Sequence, residues 1–217
     1  MIFMQGETVF IIIAMLLSIL FSMTLHEAMH AFASHWLGDD TAYHMGRLTL
    51  NPLVHIDLFT TIIMPLLLFI SGFPPIGAAK PVPFNPSRLR YDEFGAALVG
   101  VAGPVTNLVL AGFAGLWLRF VIGVNGPDII VAIFTIFIYI NLSFFVFNMI
   151  PFPPLDGSRI LYAFAPEPLQ RLMRQIESFG VFGIVIFMLI IFQFISPLLI
   201  KSIDGLFTLI VGSPLSI

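Results

Sequence analysis

The sequence predicts an all-α polytopic membrane protein. It has about four full transmembrane helices, a short re-entrant segment and a small extended or β element near residues 78–84. Three observations carry this. The chain of 217 residues is 59% hydrophobic and only 10% charged, whereas soluble domains carry about 25% charged residues. Its apolar residues gather into runs at about 8–37, 94–122, 128–150 and 179–200, each reaching the ~20 residues that a helix needs to cross a bilayer. No internal repeat, low-complexity linker or stretch long enough for a soluble domain interrupts them, so residues 1–217 read as a single membrane-embedded domain.

The first run is uncharged from Val9 to Leu25 and resumes at Ala31-Phe32-Ala33. Residues 1–8 contain Glu7 but no Lys or Arg, and no cleavage site precedes His26, so the run reads as a span rather than a signal peptide. Leu58–Ile70 is apolar for 13 residues with Pro65 near its middle. That is too short to cross, and a re-entrant segment is expected. Ala78-Ala-Lys80-Pro-Val82-Pro-Phe84 reads as an extended edge, since its prolines forbid helix. Beyond the fourth run, Leu206–Val211 reads as a separate, shorter apolar stretch.

Charge orients these elements. If Leu58–Ile70 re-enters, then Arg47, Lys80, Arg88, Arg90, Arg159, Arg171 and Arg174 share one face, seven of the nine basic residues, with Arg119 and Lys201 near the other. The positive-inside rule makes the crowded face cytoplasmic and places the amino terminus outside.

Within the first run stands His26-Glu27-Ala-Met-His30. An HExxH motif on a helix puts two imidazoles on one face, where they share a zinc ion, and places the glutamate to take a proton from water. Ionisable groups inside a membrane span cost several kcal/mol unless partnered, which marks them as functional. With no cysteine in the chain, any further ligand is His, Asp or Glu. His35 lies about 180° round the helix from His26, and the position six residues after His30, where a third histidine would extend the motif, is Trp36. Asp156, in Asn148-Met-Ile-Pro-Phe-Pro-Pro-Leu-Asp156-Gly157, is the outstanding third ligand. With Leu58–Ile70 re-entrant, the first and third spans run in the same direction and deliver His26, His30 and Asp156 to the same side. The charge count and the metal site thus require one topology. Asp57 is the rival ligand, while His44 and His55 read as loop histidines. Pro151, Pro153 and Pro154 hold an extended wall before Asp156, tolerated at membrane depth only where protein buries it or a wet cavity lines it.

A net charge of −3 without a basic, aromatic-laced tract excludes nucleic acid as a partner. Two other readings stay open. One is a different membrane zinc peptidase with a glutamate as third ligand, for which Glu93, Glu167 and Glu177 stand in unpromising settings. The other is a metal-binding or transport protein, which predicts paired repeats that are absent.

The HExxH in the first span, Lys80-Pro-Val-Pro, Ala102-Gly-Pro-Val-Thr-Asn107 and Asn148…Pro151-Phe-Pro-Pro-Leu-Asp156-Gly157 together resemble the site-2 protease family of intramembrane zinc metalloproteases. The chain looks most like its compact prokaryotic branch, without PDZ or CBS modules, over most of residues 20–165. The resemblance implies that His26, His30 and Asp156 bind Zn2+, that Glu27 is the base and that Asn148 assists. It further implies regulated cleavage of transmembrane protein substrates in the lipid bilayer of a prokaryotic inner membrane, while the charge count puts the active site toward the cytoplasm. For the oxyanion, which needs a donor, Asn148 is the first candidate. Asn107 is the second, with the alternatives that it satisfies backbone freed by Pro104 or packs two helices. Lys80 and Val82 would offer their backbone to a substrate held as a strand, limited by the flanking prolines. No oligomeric state is specified.

Overall fold

The structure is a computed structural model and describes residues 2–57, 61, 63, 70, 79–180, 182–183, 187, 190 and 192–212. Four long helices organise it: α1 (Ile2–Trp36), α4 (Asp92–Gly123), α5 (Asp128–Asn148) and α8 (Phe192–Val211). Each is long and apolar enough to cross a membrane, α1 over Val9–Trp36. Short helices α2 (Thr41–His44) and α3 (Pro52–His55) follow α1, and α6 (Gly157–Phe164) and α7 (Glu167–Ser178) follow α5. The chain is an integral membrane protein of the all-α class.

Side-chain pairs fix the directions. Phe21 meets Phe137 and His26 meets Phe144, so α1 and α5 are parallel. Asn107 reaches Ser22 while Val99 reaches His30, so α4 runs antiparallel to both. The Arg90 N–H donates to Leu37 O at 2.7 Å, so the stretch between α1 and α4 starts and ends at the same end of the bundle. That relationship is the one the charge pattern requires. Most of Leu58–Ile70, the expected re-entrant segment, and Ala78 lie outside the described residues.

α1 has neither glycine nor proline between Glu7 and Leu37, and it stops at Gly38, whose φ of +102° suits a left-handed cap. The Gly38 and Asp39 N–H groups close the end onto His35 O and Ser34 O. At the far end of the bundle α4, α5 and α8 pack through Ala111, Ala114, Leu118, Ile138, Leu142, Phe207 and Val211. Small residues there let helices approach closely, which is what drives association in lipid, where apolar burial gives no net gain. The Arg119 Nε–H donates to Val211 O, capping α8.

Two expectations change. Part of the expected fourth run, 179–200, lies outside the described residues, but Leu206–Val211 is not a separate stretch. Its helix runs continuously over Phe192–Val211, through Lys201 and Asp204. The two charges read as a break, but both are exposed in this helix and the Tyr139 hydroxyl donates to Asp204, so the helix continues past them. Between 79 and 85 there is no strand among the described residues. Pro81 and Pro83 have no N–H to give, and the Lys80 N–H donates to His55 O instead.

Candidate metal centre

Three side chains converge where α1 nears its end. His26 and His30 are one turn apart on α1, and Asp156 enters from the residue preceding α6. His26 Nε2 lies 3.1 Å from His30 Nε2 and 3.1 Å from Asp156 Oδ2, and His30 Nε2 lies 3.4 Å from that same oxygen. Among the described residues this is the group of His, Asp and Glu side chains that could hold a metal ion.

The protonation pattern decides what the cluster is for. His30 Nδ1 lies 2.7 Å from Val99 O, a carbonyl that can only accept, so this nitrogen carries the proton and Nε2 presents a lone pair. His26 Nδ1 lies 2.6 Å from Asn107 Oδ1, which gives the same tautomer. Two lone pairs and a carboxylate oxygen therefore face one another at 3.1–3.4 Å, a repulsive arrangement unless a cation sits among them. A tetrahedral zinc with bonds of ~2.0 Å has ligand atoms about 3.3 Å apart. The donor set fits zinc. The imidazoles are buried, with side chains 8% and 9% exposed, while Asp156 is 24% exposed, which leaves one flank open as a hydrolytic site requires.

Two glycines make room. A Cβ on Gly103 of α4 would lie 2.4 Å from His30 Nε2 and 2.7 Å from His26 Nε2, filling the space where the lone pairs converge. A Cβ on Gly157 would lie 2.4 Å from Met149 O, so the turn that carries Asp156 back against the end of α5 tolerates only hydrogen there. Phe152 of the proline-rich wall stacks on Phe187 at 4.6 Å between ring centroids. Arg159, in the first turn of α6, pairs with Glu177 of α7.

The other expected residues fall as follows. Glu27 is half-buried beside the histidines, and no hydrogen bond or ion pair to a described residue occupies its carboxylate. Asn148 closes α5 one turn beyond Phe144, the residue facing His26, and one amide N–H donates to Phe144 O. Asn107 is fully buried with both ends of its amide engaged by protein, so it stands behind His26 rather than on a substrate surface. It does not satisfy backbone freed by Pro104 either. Lys80 is exposed, and the Val82 side chain packs with Ala31 and Ala42. Asp57 does not join the cluster. His35 pairs with Asp40, His44 is exposed, and fully buried His55 donates from Nε2 to Thr49 O. Glu167 and Glu177 pair with Arg171 and Arg159, away from the histidines.

Gly103, Asn141 and Ser22 escaped the sequence reading. Asn141 is fully buried, accepts from Asn107 Nδ2 at 2.9 Å and donates to Ser22 Oγ and Phe137 O, each at 2.9 Å. Its signal was available, a carboxamide in the middle of an otherwise apolar span, which lipid penalises unless it has partners.

Four helices long and apolar enough to cross a membrane among the described residues, with a buried two-histidine, one-aspartate cluster, define a class of metal-binding membrane protein. The family model for peptidase family M50 matches residues 127–192. The relative named "Putative zinc metalloprotease YwhC" from Bacillus subtilis is 38% identical over 191 residues, covering 85% of this chain and 81% of that protein. "Putative zinc metalloprotease Rip2" from Mycolicibacterium smegmatis is 31% identical over 179 residues, 79% of this chain and 64% of its own length. The Rip2 of Mycobacterium tuberculosis strain Erdman is 29% identical over 173 residues. The chain thus spans a little under two thirds of the Rip2 proteins. No solved structure matches it. The chain belongs to peptidase family M50, the site-2 protease family of zinc metalloproteases, and its cofactor is zinc.

Proposed function

We propose that this protein is an intramembrane zinc endopeptidase that hydrolyses peptide bonds within or near the transmembrane segments of substrate proteins. The observation that carries the reading is the convergence of His26 Nε2, His30 Nε2 and Asp156 Oδ2 at 3.1–3.4 Å, with both Nδ1 atoms already committed to oxygen acceptors. These three side chains hold the metal. A zinc ion held there would supply a Lewis acid for the scissile carbonyl and a water whose pKa falls toward ~7. Glu27, adjacent to His26 on the helix, accepts the proton of the attacking water and delivers it to the leaving amine. Asn148 keeps one amide N–H beyond its bond to Phe144 O, and that donor serves the developing oxyanion.

A helical substrate hides its carbonyls in its own hydrogen bonds and must unwind before attack. The Val82 N–H and C=O make no hydrogen bond to described residues, and the Lys80 N–H is taken by His55 O. A substrate strand laid along 80–82 would therefore find the Val82 N–H and the neighbouring carbonyls. Arg88, Arg90 and Arg159 gather at the end where α1 finishes and α4 begins, with Arg119 at the opposite end. By the positive-inside rule the centre opens toward the cytoplasm of a prokaryotic inner membrane.

The deciding experiment pairs zinc analysis of purified protein with cleavage of a generic transmembrane peptide, using Glu27→Gln as the blank. The variant should hold zinc in wild-type proportion and cut nothing. Cleavage persisting in Glu27→Gln, or a wild type that binds no zinc, would overturn the reading.

A further inference from the structure

We propose that Asn141, in the middle of α5, is a positioning residue for the metal centre: acting through Asn107, it sets the tautomer of His26. The proposal rests on the zinc reading above and adds to it a residue that touches neither metal nor substrate.

The two histidines differ in what faces Nδ1. His30 Nδ1 faces Val99 O, an oxygen that can only accept, so its tautomer is settled by one contact. His26 Nδ1 faces a carboxamide, and a carboxamide is two-faced: its oxygen accepts and its NH2 donates. If Asn107 turned its amide over, an N–H would meet His26 Nδ1. The imidazole proton would then move to Nε2, the atom that must hold the metal. Something must forbid that turn.

Asn141 does. Phe137 O, the backbone carbonyl one turn earlier on α5, lies 2.9 Å from Asn141 Nδ2 and admits only a donor. That contact, together with Ser22 Oγ at 2.9 Å, directs the Asn141 NH2 away from α4 and its Oδ1 toward Asn107. Oδ1 in turn admits only a donor, so the Asn107 NH2 points to it at 2.9 Å, with Ser22 O at 3.4 Å as a weaker second acceptor. The Asn107 oxygen is left for His26. With Asn107 reversed, two amide oxygens would oppose one another at 2.9 Å, in a site where Ser22, Asn107 and Asn141 are all fully buried and water cannot relieve the conflict. Direction therefore passes from a fixed carbonyl on α5, through two amides, to the lone pair on α1. Partners of this kind behind a ligating histidine typically change metal affinity by about 10- to 100-fold when removed.

The test uses the full-length protein and zinc alone, with affinity read by chelator competition and folding checked by helical content and melting temperature. Asn141→Leu should bind zinc about 10- to 100-fold more weakly than wild type. Asn107→Asp combined with Asn141→Leu should recover most of that loss, because both oxygens of a carboxylate accept and no direction has to be imposed. A role in packing alone predicts instead that Asn107→Asp changes zinc affinity by the same factor with Asn141 present as with Asn141→Leu. Asn141→Leu within about twofold of wild type, or a double variant as weak as the single one, overturns the proposal. A wild type that binds no zinc would instead sink the functional reading, so the two failures are distinguishable. If Asn141→Leu does not fold, 15N-histidine NMR of the zinc-free wild type decides: His26 protonated at Nδ1 is expected, and protonation at Nε2 overturns it.

Discussion

Gly103 of α4 faces the imidazoles of His26 and His30 so closely that a methyl group on its Cα would stand 2.4 Å from one Nε2 and 2.7 Å from the other. The missing side chain is the space in which the ligands converge. Gly103→Ala should therefore abolish stoichiometric zinc binding while the four-helix frame still inserts. The overpacking itself costs about 1–3 kcal/mol. Metal analysis of the purified variant checks this, and an alanine variant that holds one zinc per chain would show that the imidazoles can retreat.

The carboxylate that completes the set can be separated from its neighbours. Asp156→Ala removes a ligand oxygen and should lose zinc. Glu177→Ala should keep it, because Glu177 pairs with Arg159 on α6 rather than with the histidines. That ion pair is partly exposed, with side chains 27% and 38% accessible, so its loss should lower stability by no more than about 1 kcal/mol. Zinc retained in the aspartate variant and lost in the glutamate one would point to a different peptidase architecture.

What the sequence made legible follows from what each feature needs. His26, Glu27 and His30 are neighbours on one helix, so their spacing alone placed them, and parity of crossings brought Asp156 to the same end. The roles of Gly103 and Gly157 depend on the approach of elements distant in sequence, Gly157 to Met149 and Gly103 to α1, and no local pattern encodes that distance. Asn107 was visible as a polar residue in a span, but its task depends on which helix faces it, and α1 and α5 both do. Leu206–Val211 stood apart from the fourth run because Lys201 and Asp204 interrupt the apolar pattern, although both are exposed on a helix that continues to Val211.

Removing the metal should loosen the protein. Without a cation, two lone pairs and a carboxylate oxygen repel at 3.1–3.4 Å, and a ligand bound only to the native state stabilises it by about 4 kcal/mol at a thousand times its Kd. Chelator treatment should lower the melting temperature of the wild type, and added zinc should restore it. Asp156→Ala should respond to neither. A chelator-induced drop of equal size in that variant would mean that the stabilising ion sits elsewhere.

Asp39 gives the protein a pH dependence away from the metal. It is fully buried just after α1. Oδ1 accepts from the Thr41 N–H at 3.1 Å and the Thr41 hydroxyl at 2.6 Å, and Oδ2 accepts from the Asn85 N–H at 2.6 Å. The contact to Asn85 ties the exit of α1 to the segment that leads into α4. Burial works to raise its carboxyl, but these donors and the nearby Arg88 charge prevail and hold it below the ordinary value of 3.8. A carboxylate depressed in the folded state stabilises above its unfolded pKa, and that contribution drains away as pH falls through the folded one. Asp39→Asn keeps one acceptor but turns an NH2 toward a donor, so at pH 7 it should cost about 1–3 kcal/mol. The gap to wild type should narrow as the pH drops below 3.8, because wild type then loses the same charge. Thermal unfolding of both proteins across the acid range measures this, and a gap that stays constant would mean that shape, rather than charge, makes Asp39 matter.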